Sequence, residues 1–460
     1  MNYGHFKLNC ESYPYQYYQA GLGQMKKLLP LFITAALGSV SAAAWADSLT
    51  EIYDQAKQND PQLLRAAAQR DRAFEAINSA RATLLPQINL TAGYNINRSD
   101  DDITDSDKAT AGVGFSQELY NRTSWITLDS AEKTARQADS QYAAAQQDLI
   151  LRTAQAYFEV LRSKDNLESV RANKAAVARQ LEQTKQRFEV GLSAITDVHD
   201  AQAQYDRVLA DEVVAENNLL NQYEALREIT GQEHKNIDVL DTDRFSAARP
   251  EQSVTFFLEE AQNKNLDLLS ARIGQDIAKD NITLASSGHL PKLTLDGGYN
   301  YGNERNDTVA SRAGSTNSFN AGINLSVPLY TGGNITSQTK QAEFAYVEAS
   351  EQLEQTYRSV VKNVRANNNN INSSIGAIRA YEQTVISAES ALEATKAGFD
   401  VGTRTIVDVL EATQALYNAE SNLSDSRYDY IISILNLRQS VGTLSEQDIV
   451  DINAGLKKAK

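Results

Sequence analysis

The chain has 460 residues, a net charge of −15, 42% hydrophobic and 8% aromatic content, and a single cysteine. An excess of acid on this scale makes a poor partner for nucleic acid. One thiol excludes a disulfide framework and a cysteine-built metal centre.

Residues 1–46 read as an upstream extension followed by a leader. Met25-Lys26-Lys27 opens it, an apolar run extends from Leu28 to Val40, and Ala44-Trp45-Ala46 is a small-x-small cleavage motif. The run is too short to span a bilayer as a helix. The true start is expected at Met25 and the mature chain from Asp47, which leaves Cys10 behind. Lys7, Lys26 and Lys27 against Glu11 give the removed part +2, so the mature chain carries about −17. No later segment reaches about 20 apolar residues, so any membrane location must rest on β-strands.

Residues 47–245 form a first repeat and 246–460 a second. The first opens with helix over 47–84, with Pro61 at the start of a second helical piece. A strand follows over about 86–98. Ile88, Leu90, Ala92, Tyr94 and Ile96 face one way, and Gln87, Asn89, Thr91, Gly93, Asn95 and Asn97 the other. An acidic loop (Asp100, Asp101, Asp102, Asp105, Asp107) leads to a strand over about 110–120. Residues 121–188 contain neither Pro nor Gly. As one helix they would run roughly 100 Å. A tip at 190–195 and a return helix over 196–230 complete the unit.

The second repeat has the same plan: helix over 252–287, strands over about 291–303 and 318–330, a long helix over 334–397, a tip at 400–404, a return helix over 405–441 and a short C-terminal segment. Leu85-Pro86-Gln87-Ile88-Asn89-Leu90 is echoed by Leu290-Pro291-Lys292-Leu293-Thr294-Leu295, and Phe188-Glu189-Val190-Gly191 by Phe399-Asp400-Val401-Gly402. Each return helix is shorter than its partner, so 47–84 and 252–287 are expected to continue its line. Thin apolar seams, such as Leu167, Val177, Leu181 and Ile378, Val385, Leu392, suit helices that also face water.

Strands of about 10 residues with one apolar and one wet face have the span of outer-membrane strands. Four cannot close a barrel, and an open edge is not tolerated in lipid. Two chains would give eight strands with a filled interior. Three would give 12, so a homotrimer is the smallest assembly that conducts.

Arg187-Phe188-Glu189-Val190-Gly191-Leu192, Ala194-Ile195-Thr196-Asp197-Val198, the ten residues from Val401 to Leu410, and Gln338-Thr339-Lys340-Gln341-Ala342 resemble the TolC family of outer-membrane efflux proteins. The resemblance covers essentially the whole of 47–460. It implies a membrane α+β fold: a trimeric 12-stranded outer-membrane β-barrel continuous with a 12-helix periplasmic α-barrel. It also implies an outer-membrane exit duct for efflux or type I secretion, gated by an iris-like opening of the helix tips. The implied partners are a periplasmic adaptor (membrane fusion) protein, an inner-membrane efflux pump or ABC exporter, and outer-membrane lipid, with no nucleic acid and no cofactor. The chain departs from the family pattern at Phe399, where a tyrosine is usual, and at Glu411, where an aspartate is usual. It ends at Lys460, without the long polar tail of the best-known members.

Asp197 and Asp408 sit six residues after Gly191 and Gly402, and Glu411 lies one turn beyond Asp408. Acids in a first helical turn complement the helix dipole. In a trimer Asp408 and Glu411 also become rings, and crowded like charges attract cations. By resemblance this ring is the periplasmic constriction, and Arg404 joins Asp197, Gln180 and Phe399 in links that hold it shut. Gly191, Leu192, Ser193, Gly402 and Thr403 are the expected adaptor-contact tips. The three histidines beyond the leader (His199, His234, His289) have no paired spacing, and no nucleophile elbow or phosphate loop appears, so no enzyme is expected. A secreted or surface coiled-coil structural protein, such as a fibre or adhesin stalk, is the alternative.

Overall fold

Capping side chains mark where the helices of this chain start and stop. The computed structural model describes residues 47–98, 105–305 and 314–458. All of them belong to one unit, and the expected leader lies outside them. In chain order the first repeat holds α1 (Leu49–Asn59), α2 (Pro61–Ala82), β1 (Gln87–Asn97), β2 (Ser106–Tyr120), α3 (Arg122–Glu189), α4 (Ile195–Thr230) and β3 (Val239–Leu240). The second holds α5 (Val254–Lys264), α6 (Leu266–Ser286), β4 (Lys292–Arg305), β5 (Gly314–Ser326), α7 (Asn334–Asp400), α8 (Ile406–Val441), α9 (Glu446–Asn453) and β6 (Leu456–Lys457).

Asp60 ends α1 and caps α2. Its carboxylate accepts the Leu63 amide at 2.9 Å, and Pro61 takes the first helical position, where its missing N–H costs nothing. The expected single helix over 252–287 is also two. Asn265 breaks it as Asp60 breaks its counterpart, accepting the Leu268 amide at 2.9 Å. No proline marks that second break, so only the repeat alignment could have revealed it.

The return helices stop against these breaks. Gly231, at φ 70°, caps α4, and the Asn59 amide donates to the Thr230 carbonyl at 3.0 Å. Gly442, at φ 86°, caps α8, and the Asn265 amide donates to the Ser440 carbonyl at 2.9 Å. From there α2 packs along α3, and α6 along α7 and α3, while α1 and α5 lie beside α4 and α8. Only the second piece of each pair extends the line of the return helix.

The four long strands form one antiparallel sheet in the order β1-β2-β4-β5, so the repeats join through β2 and β4. The register sorts the faces. Leu90, Val113, Tyr299 and Phe319 lie in one row across all four strands, and Ile88, Phe115, Gly297 and Ala321 in another. The opposite face carries Asn89, Gly114, Gly298 and Asn320, then Thr91, Gly112, Asn300 and Ser318. The apolar face is bare: Leu90 is 78% exposed and Phe319 77%. β1 and β5 are unpaired edges of the sheet.

Two strand boundaries differ from expectation. β2 begins at Ser106, so Asp107 is in the strand and not in the loop, where Arg98 pairs with it at 2.7 Å; Asp100 to Asp102 lie outside the described residues. β5 spans Gly314–Ser326 rather than 318–330. It stops before Pro328, which has no N–H to donate, and Ser315 to Asn317 pair with Asn303 to Tyr301.

The main core lies midway along the helices, where α1, α3, α4, α7, α8 and α9 meet. Leu49, Ile52, Tyr157, Phe158, Leu161, Leu226, Ile371 and Leu435 are fully buried there. The C-terminal segment proves to be part of it. β6 pairs with β3, the Leu49 amide donates to Asn453 at 3.1 Å, and Lys57 bonds Glu446 at 2.5 Å. A second, smaller core of Val177, Leu181, Ala201, Val208, Ile406 and Leu410 holds the tips.

Candidate functional site: the helix tips

Both long helices end in the same hydrogen-bonded turn. At the first tip the Leu192 amide donates to the Arg187 carbonyl at 2.8 Å and the Gly191 amide to Phe188 at 3.0 Å. At the second, Thr403 donates to Gly398 at 2.8 Å and Gly402 to Phe399 at 3.1 Å. Gly191 and Gly402 have φ of 75° and 80°, the left-handed region this turn requires. Nothing lies within 4 Å of a Cβ built on either, so the backbone conformation and not space selects glycine. Beside them Leu192 is 71% and Val401 75% exposed, and Ser193 is half-buried.

Asp197 and Asp408 both cap the return helices. The Ser193 hydroxyl donates to Asp197 at 2.6 Å and the Ala194 amide at 3.2 Å. The Thr405 amide donates to Asp408 at 2.7 Å and its hydroxyl at 2.9 Å, and that hydroxyl in turn accepts the Asp408 amide at 3.2 Å. The second tip is therefore a full capping box, legible in the Thr-x-x-Asp spacing. The Thr405 amide, then its hydroxyl and the Arg404 charge, hold the Asp408 carboxyl below the usual aspartate range.

Glu411 is exposed and lines a groove of about 580 Å³ between α4 and α8, with Asp200, Arg207 and Gln414. Gln180 and Phe399 share another cleft, of about 350 Å³, with Arg179, Lys396 and Asp400. The Gln180 side-chain nitrogen is buried there without a hydrogen-bond partner. Arg404 is exposed, and its amide donates to the Gly398 carbonyl at 3.2 Å. Of the four expected link residues, the fold of one chain thus brings together Gln180 and Phe399. Asp197 is engaged in its own turn, and no hydrogen bond or ion pair joins it to Arg404 among the described residues. Two residues escaped the sequence reading. Gly398 makes room for the Arg404 side chain, since a Cβ there would lie 2.8 Å from the Arg404 Cγ, while Arg187 holds the equivalent place in the first tip. Arg187 lies over the Phe399 ring, its guanidinium carbon 4.6 Å from the centroid.

An antiparallel sheet with a bare apolar face, fused to two hairpins of uncommonly long helices, defines the outer-membrane channel class of proteins. The family model for the outer membrane efflux protein matches residues 52–232 and 257–443, once per repeat, and the chain belongs to that family. It is 72% identical over 437 residues to the outer membrane protein TolC of Vibrio cholerae, covering 95% of this chain and all of that one. It is 30% identical to the alkaline protease secretion protein AprF of Pseudomonas aeruginosa, over 92% of this chain and 90% of that one. The solved outer membrane protein VceC of Vibrio cholerae shares the fold, with a TM-score of 0.71 at 22% identity over 86% of this chain and 96% of that one. The outer membrane channel CmeC of Campylobacter jejuni does so with a TM-score of 0.74 at 18% identity, over 89% and 90%. The protein is a transport protein of the outer membrane and not an enzyme, and the fibre alternative falls.

Proposed function

We propose that three copies of this chain close one duct, which passes drugs, small molecules or proteins out through the outer membrane. The observation that carries it is the sheet: four strands, one face apolar and bare, one face polar, and two free edges. In lipid those edges must pair, and 12 strands from three chains pair them all. The helix hairpins then line up as 12 helices in the periplasm. The description of the family as outer membrane efflux protein and the name of the secretion relative support both uses of such a duct.

The tips are its gate. Asp408 and Glu411 form the acidic ring, and Arg404, Asp197, Gln180 and Phe399 belong to the links that keep it closed. Links of this kind are worth only about 0–1 kcal/mol each when exposed. A periplasmic adaptor that binds the open form better can therefore open the iris, the inner-membrane pump or ABC exporter supplying the cargo. Gly191, Leu192, Ser193, Gly402 and Thr403 give that adaptor a small, partly apolar landing surface. The test is selectivity in a planar bilayer. The purified trimer conducts cations in preference to anions, and Asp408→Ala with Glu411→Ala weakens the preference. An unchanged reversal potential in the double variant removes the ring from the gate.

A further inference from the structure

The two hairpins of one chain touch at their tips through an arginine and a ring. The Arg187 guanidinium carbon is 4.6 Å from the Phe399 centroid, the distance at which an aromatic face holds a cation. Both residues are fixed from behind. The Arg187 carbonyl accepts the Leu192 amide and the Phe399 carbonyl the Gly402 amide, so each is tied to its own turn. Phe399 also packs against the small core of Val177, Leu181, Ile406 and Leu410. The Arg187 Nε is buried with no hydrogen-bond partner. A cationic nitrogen withdrawn from water in this way is offset by the ring it lies on. Among the described residues, the next side-chain hydrogen bond between the hairpins is Asn173 to Gln414 at 2.8 Å, about four turns along α3.

We infer that Arg187 and Phe399 form a latch that ties the first tip to the second in the closed gate, with a cation on an aromatic face in place of an ion pair or hydroxyl bond. The inference rests on the gated-duct reading. It makes Arg187 a positioning residue for the gate, and it gives the bare ring of Phe399 a task that needs no hydroxyl. An arginine stays charged throughout the accessible pH range, and its attraction to a ring face needs no carboxylate partner. The latch is therefore insensitive to protonation of the acidic ring.

The test is closed-state conductance of the purified trimer in planar bilayers, for wild type, Arg187→Gln, Phe399→Leu, their double variant and Phe399→Trp. Each lost contact shifts the closed-to-open ratio by roughly fivefold per chain, so both single variants leak more. The double variant leaks no more than the leakier single one, because both remove the same contact. Phe399→Trp, with a better face for a cation, stays as tight as wild type or tighter. Additive leaks in the double variant, or a tight Phe399→Leu, overturn the latch while wild-type cation selectivity still upholds the duct. A wild-type trimer that forms no cation-selective channel overturns both. If Phe399→Leu or Arg187→Gln fails to give trimer, Phe399→Trp decides: a leak above wild type overturns the latch.

Discussion

Asp408 is held in place by its own helix before any neighbouring chain is considered. Its carboxylate takes two hydrogen bonds from Thr405, and these favour the charged form. A lowered carboxyl pKa contributes stability that is present above the ordinary aspartate value, about 4. That contribution is lost as pH falls through the lower folded value. The second tip should accordingly keep its cap and charge down to about pH 4, and Thr405→Ala should raise the pH at which cation selectivity fades. A selectivity profile of Thr405→Ala that overlays wild type would show that the Thr405 hydroxyl does not tune the ring. Arg404→Ser tests the links at the same scale: its expected effect is a higher conductance, and an unaltered one removes Arg404 from the gate. The candidate acids were legible in the sequence because they recur six residues after each tip glycine. The partnership of Arg187 with Phe399 was not, because the two are 212 positions apart on different hairpins and no spacing rule connects them.

At the scale of elements, repeat symmetry conceals different packing. Gly231 and Gly442 cap equivalent helices with equivalent backbone, at φ 70° and 86°. A Cβ on Gly231 would sit 3.6 Å from the Asn59 side chain, an ordinary contact, whereas one on Gly442 would lie 2.3 Å from the Lys264 carbonyl oxygen. Gly231→Ala should therefore cost about 1–2 kcal/mol of strain alone. Gly442→Ala adds a backbone clash and should cost about 2–4 kcal/mol. Thermal unfolding of the two variants separates them, and equal losses would mean the α5–α6 junction moves aside freely. The other break has its own weak point. Asp60, almost wholly buried, caps α2 and accepts from Arg152 at 2.8 Å. Burial pushes its carboxyl up, but the Arg152 hydrogen bonds and charge and the Leu63 amide outweigh that, and the net direction is down. This contribution too is present above the ordinary aspartate range and lost in acid below it. Asp60→Ala should cost about 2–3 kcal/mol at neutral pH, with the loss shrinking in acid.

For the whole molecule, the sheet decides what the chain can be. Its apolar rows face outward with nothing to cover them, while its polar rows crowd one another: a Cβ on Gly112 would lie 2.2 Å from the Asn300 Oδ1. The two faces should answer differently to charge. Leu90→Arg or Phe319→Arg, on the apolar face, should destabilise the inserted trimer by about 2–4 kcal/mol near mid-membrane. Asn320→Lys, on the polar face, should leave assembly intact and change conductance. Folding into liposomes, followed by resistance of the trimer to SDS, distinguishes them. Equal tolerance on both faces would count against a lipid-facing sheet.

By itself the sequence determined the periodicities: period-two strands with one apolar face, a first long helix with neither Pro nor Gly and a second with only Gly376 over 334–397, and glycines where the chain must turn. Those are local properties, set by neighbours within a few residues, and they sufficed for the fold class, the repeat and the need for several chains. Tertiary structure decided what depends on distant meetings. It set the break at Asn265 against the end of α8, where the Asn265 amide donates to the Ser440 carbonyl. It turned the C-terminal segment into a strand beside β3, because a two-residue pairing leaves no pattern to read. It placed Arg187 over Phe399, because only packing around Leu181 and Leu410 brings the ends of α3 and α7 within reach of each other.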